Sequence, residues 1–237
     1  MSQYHSDYIV QKKGQEIVKT DMKRCIEDAI GAFKQYHDGQ LPTTFVIYRD
    51  GVGDAQRNQV LSEEIPQFED AIQTVYPQDQ KPEITVVVVN KRISQRFFVK
   101  DSQGRLLNPP SGCIIDRDLV ENQSAENQGR FDFFLTPSSA TQGCVLPTHF
   151  FVPKNSSDLS KIDLEHLTYA LCYYYFNWAG PIKVPAPCQY AHKIAEYFMN
   201  IGVASHNKRQ VHQAHPQVLK EVERSGVESL SNRLHFL

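Results

Sequence analysis

The sequence predicts an α/β fold, and three observations carry that expectation. Two compact runs rich in β-branched residues, Thr43-Thr44-Phe45-Val46-Ile47-Tyr48 and Ile84-Thr85-Val86-Val87-Val88-Val89, read as buried strands. Stretches with apolar residues at helical spacing lie before and between them. The resulting order of strand, helix, strand, helix, strand suggests a layered sheet with at least two neighbouring parallel strands.

Taken in order, residues 4–10 predict a short strand, which Gly14 ends. In 16–36, Ile17, Met22, Cys25, Ile26, Ala29, Ile30 and Phe33 share one helical face and predict the first helix. After the turn at Asp38-Gly39 comes the strand ending in Arg49-Asp50-Gly51. A second helix is expected over 55–75, kinked or divided by Pro66. The strand over 84–89 is so continuously β-branched that both its faces should be buried. Strands at 96–99, 113–116, 131–136 and 149–152 sit among Gly, Pro, Asn and Ser turns and predict hairpins or added edges. A polar surface loop is expected over 119–129 and a third helix over 161–176. A Pro-rich extended segment over 181–187 leads to a fourth helix over 189–199. Residues 204–227 are polar, and no internal repeat or domain boundary stands out.

Composition narrows the classes. With 237 residues and 41% hydrophobic content the chain can build a sizeable core. Lys and Arg number 25 against 27 Asp and Glu, so any nucleic-acid footprint must be local rather than global. Cys25, Cys113, Cys144, Cys172 and Cys188 are odd in number and contain no CxxC pair. That pattern argues against a disulfide framework or a zinc cluster and predicts reduced thiols. No charged-then-apolar leader and no apolar run near the ~20 residues of a membrane helix is present, which predicts a soluble protein of the cytoplasm or nucleus with no membrane partner.

Several residues could carry chemistry. Functional groups of parallel sheets gather beyond strand carboxyl ends, and Asp50 sits at such an end, although Arg49-Asp50-Gly51 also reads as a simple turn. Glu16 near a helix start is either functional or a complement to the helix dipole. His192 follows a rigid Pro-rich lead-in, in the first turn of the fourth helix. It is either a satisfied structural histidine or a metal ligand or acid/base group. Lys91, Arg92 and Arg96, with Lys100 and Arg105 nearby, gather positive charge after a strand and could neutralise phosphates. Lys193 is a weaker phosphate candidate. Tyr173-Tyr174-Tyr175-Phe176 and Trp178 could stack bases, but core packing is the expectation.

Six segments together resemble the Argonaute/Piwi family. They are Tyr48-Arg49-Asp50-Gly51-Val52-Gly53, Val88-Val89-Asn90-Lys91-Arg92, Phe131-Asp132-Phe133-Phe134, Pro147-Thr148-His149-Phe150, Leu167-Thr168-Tyr169-Ala170-Leu171-Cys172 and Pro185-Ala186-Pro187-Cys188-Gln189-Tyr190-Ala191-His192-Lys193. With the ending Ser231-Asn232-Arg233-Leu234-His235-Phe236-Leu237, the pattern looks like the Piwi branch. The resemblance implies a ribonuclease H-like Piwi domain over 1–237. It also implies a small guide RNA and a complementary target RNA as partners, together with silencing-complex proteins.

Slicing members of that family are endoribonucleases that cut guide-paired RNA with two Mg²⁺ or Mn²⁺ ions. By motif match Glu16, Asp50 and His192 would belong to the metal-holding, catalytic set. Lys91, Arg92 and Arg96 fall where family members contact the guide backbone, and the Leu237 carboxylate would help hold a metal near the guide 5′-phosphate. The family's first aspartate has no match here. The expectation is therefore an N-terminally incomplete domain, lacking its first strands and the Mid and Paz domains, and inactive as a nuclease by itself. Two readings remain: a guide-RNA-binding domain whose complete form cleaves, and a non-cleaving module that recruits partners to guide-matched RNA.

Overall fold

A computed structural model describes residues 3–9, 17–18, 21–117, 120, 130–140 and 142–205, with backbone alone at 54 and 199–205. The expected loop over 119–129 and the segment 206–237 lie almost entirely or entirely outside the described residues. The chain divides into two compact units, one of Met1–Pro42, Ser62–Gln80 and Tyr190–Leu237, the other of Thr43–Leu61 and Lys81–Gln189.

The second unit holds a five-stranded mixed sheet. Its strands are β1 (Thr44–Asp50), β2 (Glu83–Asn90), β5 (Cys113–Ile115), β6 (Phe131–Thr136) and β7 (Thr148–Asn155), in the order β1-β2-β7-β6-β5. Strands β1 and β2 run parallel, with Thr44 opposite Glu83 and Asp50 opposite Val89, as the sequence predicts. The other three pairings are antiparallel. Strands β6 and β7 are not added edges: β7 pairs directly with β2, and β6 is buried along its whole length. The expected strand at 96–99 shrinks to β3 (Val99–Lys100), which pairs with β4 (Leu106–Leu107) in a separate exposed ribbon. Strand β1 is only half-buried rather than interior, because among the described residues β2 is its one sheet neighbour.

Side chains alternate across the sheet, so opposed residues share a face. Val46 and Tyr48 of β1, Val87 and Val89 of β2, Phe150 and Val152 of β7 and Phe131, Phe133 and Leu135 of β6 form one apolar layer. The rings of Phe133 and Phe150 stack with centroids 5.1 Å apart. Helix α4 (Lys161–Leu171) contributes Leu164 and Leu167 to this layer, and Val184 and Cys188 complete it. A capping box of Ser160 and Asp163 starts α4. The helix ends at Leu171 rather than 176: the Cys172 carbonyl accepts from the Ile182 amide at 2.9 Å and turns the chain. The aromatic run that follows is also a poor helix former.

In the first unit, α1 (Met22–Tyr36) packs on α3 (Ile65–Val75), tied by a 2.8 Å ion pair of Lys23 with Asp70. The expected second helix is broken before its main part. A 3₁₀ turn (Asp54–Gln56), a single turn α2 (Arg57–Gln59) and a π-helical turn (Val60–Glu64) precede α3, whose first turn contains Pro66. Residues 3–9 form no strand. Tyr4 and Tyr8 instead dock their rings on Tyr190 and Phe198 of α5 (Ala186–Ser205), with centroids 5.5 and 3.8 Å apart. Helix α5 begins three residues earlier than expected, because Pro187 lies in its first turn, where a missing N–H costs nothing. Among the described residues no helix is long and apolar enough to cross a membrane.

Candidate nucleic-acid interface

The alternation Val46, Tyr48, Asp50 carries the Asp50 side chain onto the apolar-layer face at the carboxyl end of β1. Gly51 follows at φ 87°, a left-handed conformation that other residues resist, and Val52 is buried, so the turn is fixed on both sides. Asp50 lies opposite Val89, and Lys91 two residues on shares that face. Its Nζ donates to Asp50 Oδ2 at 2.9 Å, with the carboxylate side chain 8% exposed and the lysine 34%. The Arg49 guanidinium donates to the Asp50 carbonyl.

Beyond β2 the chain runs as an irregular segment from Lys91 to Phe98. Asn90 Oδ1 accepts from the Arg92 amide at 3.1 Å and leaves the Arg92 side chain exposed. Arg96 is exposed too, its guanidinium donating to the carbonyls of Ile93 at 3.1 Å and Gln95 at 2.6 Å. The three cations predicted to touch phosphate therefore stand on one segment. Lys91 is drawn to Asp50, Arg96 is folded onto its own loop, and Arg92 faces solvent.

The remaining candidates lie elsewhere. His192 is exposed in the second turn of α5 and belongs to the other compact unit, and Lys193 forms a 3.0 Å ion pair with Glu196. Glu16 and Leu237 lie outside the described residues. Next to Glu16, Ile17 is buried, and the Val18 amide donates to the buried Glu64 carboxylate at 2.9 Å while Gln67 donates to the Val18 carbonyl at 2.7 Å. Among the described residues, no three His, Cys, Asp or Glu side chains come together as a metal site. Asp50 supplies the hard oxygen that Mg²⁺ prefers, but Lys91 occupies one of its oxygens. The described residues thus do not assemble a two-metal centre.

Two features were missed from sequence. On the opposite sheet face, His149 Nε2 and Asp132 Oδ2 lie 2.5 Å apart, and an Arg57 guanidinium nitrogen stands 3.1 Å from His149 Nδ1. A guanidinium can only donate, so Nδ1 accepts and Nε2 carries the hydrogen toward Asp132. His149 also stacks on Phe134, and Arg57 lies 4.8 Å from the Phe151 ring centre. The Phe-Asp-Phe-Phe and Thr-His-Phe motifs were signals of this pair. The second feature is exposure along 173–178: Tyr175 is buried, but Tyr173, Tyr174, Phe176 and Trp178 are not, which overturns the core-packing expectation.

The thiols behave as structural groups. Burial pushes Cys172 up to about 12, and it raises Cys188 still further, with the nearby Asp50 charge adding to the shift. All five cysteines are free.

Comparison with known proteins decides the family. The Piwi domain family matches residues 1–201. This chain belongs to that family. It is 42% identical to Piwi-like protein 1 of Gallus gallus over 195 residues, 82% of this chain and 21% of that protein, and 40% identical to Piwi-like protein Ago3 of Bombyx mori over 195 residues, with 82% and 20% covered. The chain spans about a fifth of the length of these relatives. Among solved structures, Drosophila Piwi superposes with a TM-score of 0.62 at 34% identity, over 73% of this chain and 22% of that one. Kluyveromyces polysporus Argonaute, solved with a guide RNA, gives 0.70 at 22% identity, over 94% and 27%, and shows the fold alone. The α/β, ribonuclease H-like fold expected from the Piwi resemblance is the fold observed.

Proposed function

We propose that this chain is a Piwi domain over its 237 residues that holds a small guide RNA paired to a complementary target RNA. The observation that carries the reading is the gathering of Lys91, Arg92 and Arg96 on one segment beside Asp50, in a chain of the Piwi family. Cations on a flexible stem neutralise phosphates without reading bases, which suits a protein whose specificity comes from strand pairing. Replacing all three residues with alanine should weaken binding of two unrelated RNA sequences by the same factor. Affinity unchanged for both sequences would remove the proposal.

A finer proposal is cleavage of the paired strand by a protein of the relatives' full length, with Glu16, Asp50 and His192 holding Mg²⁺ or Mn²⁺ and with silencing-complex partners in the nucleus or cytoplasm. Lys193 would add a phosphate contact and the Leu237 carboxylate a metal ligand. The non-cleaving alternative is favoured by one observation, the lysine already seated on Asp50. Asp50→Ala in the full-length protein separates the two. Loss of divalent-cation-dependent cleavage with RNA binding retained supports the finer proposal, and no cleavage by the parent protein supports the alternative.

A further inference from the structure

A cleft of about 590 Å³ opens in the sheet-bearing unit, with Lys91, Lys183, Ser111, Ser138, Ser139 and Trp178 on its walls. That size is within the roughly 300–1,000 Å³ typical of small-ligand sites. Two lysines and three serine hydroxyls line it and, among the described residues, no carboxylate does; Lys91 is paired with Asp50 just outside, so Lys183 and the hydroxyls are the main groups offered to an anion.

Trp178 is 64% exposed, an unusual state for the largest apolar side chain. Its position is nevertheless defined. The Trp178 amide donates to the carbonyl of buried Tyr175 at 3.2 Å, and a Cβ on Gly180 would stand 3.4 Å from the indole Nε1. The indole edge thus lies against a residue with no side chain. Ser111 is held in the same way: it donates to the Pro137 carbonyl and sits 3.1 Å from the Tyr169 hydroxyl. Gly112 beside it, at φ 84°, leaves no room for a Cβ, which would stand 2.9 Å from the Tyr169 ring. The cleft walls are therefore built rather than incidental.

We propose that this cleft holds one unpaired nucleotide of an RNA strand, its base stacked on Trp178 and its phosphate beside Lys183 and Lys91. An indole face accepts any base, and stacking needs a base face free of a neighbour, which an unpaired nucleotide offers and a duplex interior does not. An uncharged protein segment would leave the exposed Lys183 without use. The inference rests on the RNA-binding reading above and adds to it a residue that sets where the strand is unpaired.

Trp178 is the only tryptophan of the chain, so fluorescence excited selectively at tryptophan, clear of the 11 tyrosines, reports this cleft alone. The test titrates the 237-residue chain with a short single-stranded oligoribonucleotide, with the same sequence as a blunt duplex, and with an uncharged apolar peptide. Fluorescence anisotropy of labelled RNA is followed in parallel. Saturable quenching by the single strand is expected, with little from the duplex. Trp178→Ala should weaken single-strand binding roughly tenfold, with Trp178→Phe between it and the parent, and Lys183→Ala should weaken it too. RNA that binds without quenching, and equally tightly to Trp178→Ala, would overturn this inference and leave the RNA-binding reading intact. Preferential quenching by the peptide would assign the surface to a protein partner and likewise overturn it. Absence of RNA binding by the parent chain would defeat the underlying reading itself.

Discussion

Asp50 and Asp132 are both strand carboxylates of one sheet, on opposite faces, and their partners set them apart. Asp132 is 4% exposed and meets His149, itself buried and held from its other nitrogen by Arg57. Asp50 sits at a strand end and meets a lysine that is a third exposed. A buried, interlocked group is expensive to disturb because each partner loses its compensation at once, whereas a half-solvated partner can turn to water. Two aspartates in comparable motifs of this chain are thus set apart by the exposure of their partners: Asp132 is locked into the interior, and Asp50 stands where its partner meets solvent.

The largest effect should come from breaking the interior network. Asp132→Ala is expected to cost about 3–5 kcal/mol of stability, read as a lower urea midpoint, because it strands the His149 donor in a buried site. Asp50→Asn should cost about 1 kcal/mol, since Lys91 can rehydrate. Equal losses at the two positions would erase the distinction.

A smaller effect sharpens it at a third carboxylate. Glu165 of α4 is buried, and its Oε1 has no hydrogen-bond partner among the described residues. Burial first, then the nearby Asp116, raises its pKa above the ordinary glutamate value, against the lowering influence of Lys161. A carboxyl whose folded value is raised is favoured in its protonated form by folding. Its contribution is full below the unfolded value and is lost as pH rises through the folded one. Glu165→Gln should therefore stabilise the protein at pH 7, by about 1 kcal/mol, with the gain shrinking as pH falls through the raised folded value and gone below the usual glutamate value. Thermal melts of both proteins from pH 4 to 7 measure this, and a gain independent of pH would refute the assignment.

Much of the fold was legible in the sequence. The run 84–89 could be nothing but an interior strand, and 131–136 matched β6 residue for residue. The parallel pairing of β1 and β2 followed from element order. The central place of β7 did not, because it depends on pairing between distant residues, such as Thr85 with Asn155, 70 positions apart, that no local pattern encodes. Helical spacing could not place Tyr173–Trp178, since aromatic rings suit a core and an open surface alike, and the chain leaves the helix at Cys172.

The site was legible in part. Asp50 stood out as an acid at a strand end, but its contact with Lys91 needed the register of two strands. Arg57 and His149 are 92 residues apart, so their network was invisible. Trp178 stood in the sequence only within an aromatic run expected to pack in the core, and Lys183 entered once the turn after α4 brought the two to one cleft.

The most direct test of the central claim, that the Lys91, Arg92 and Arg96 segment meets RNA phosphates, is the slope of log affinity against log salt concentration for a single-stranded RNA. At roughly 0.7 per phosphate contact, replacing all three residues should flatten the slope by about 2, with Arg92 contributing most because its side chain is exposed, whereas Lys91 is held by Asp50 and Arg96 by carbonyls of its own loop. A slope identical to that of the parent chain would contradict the account.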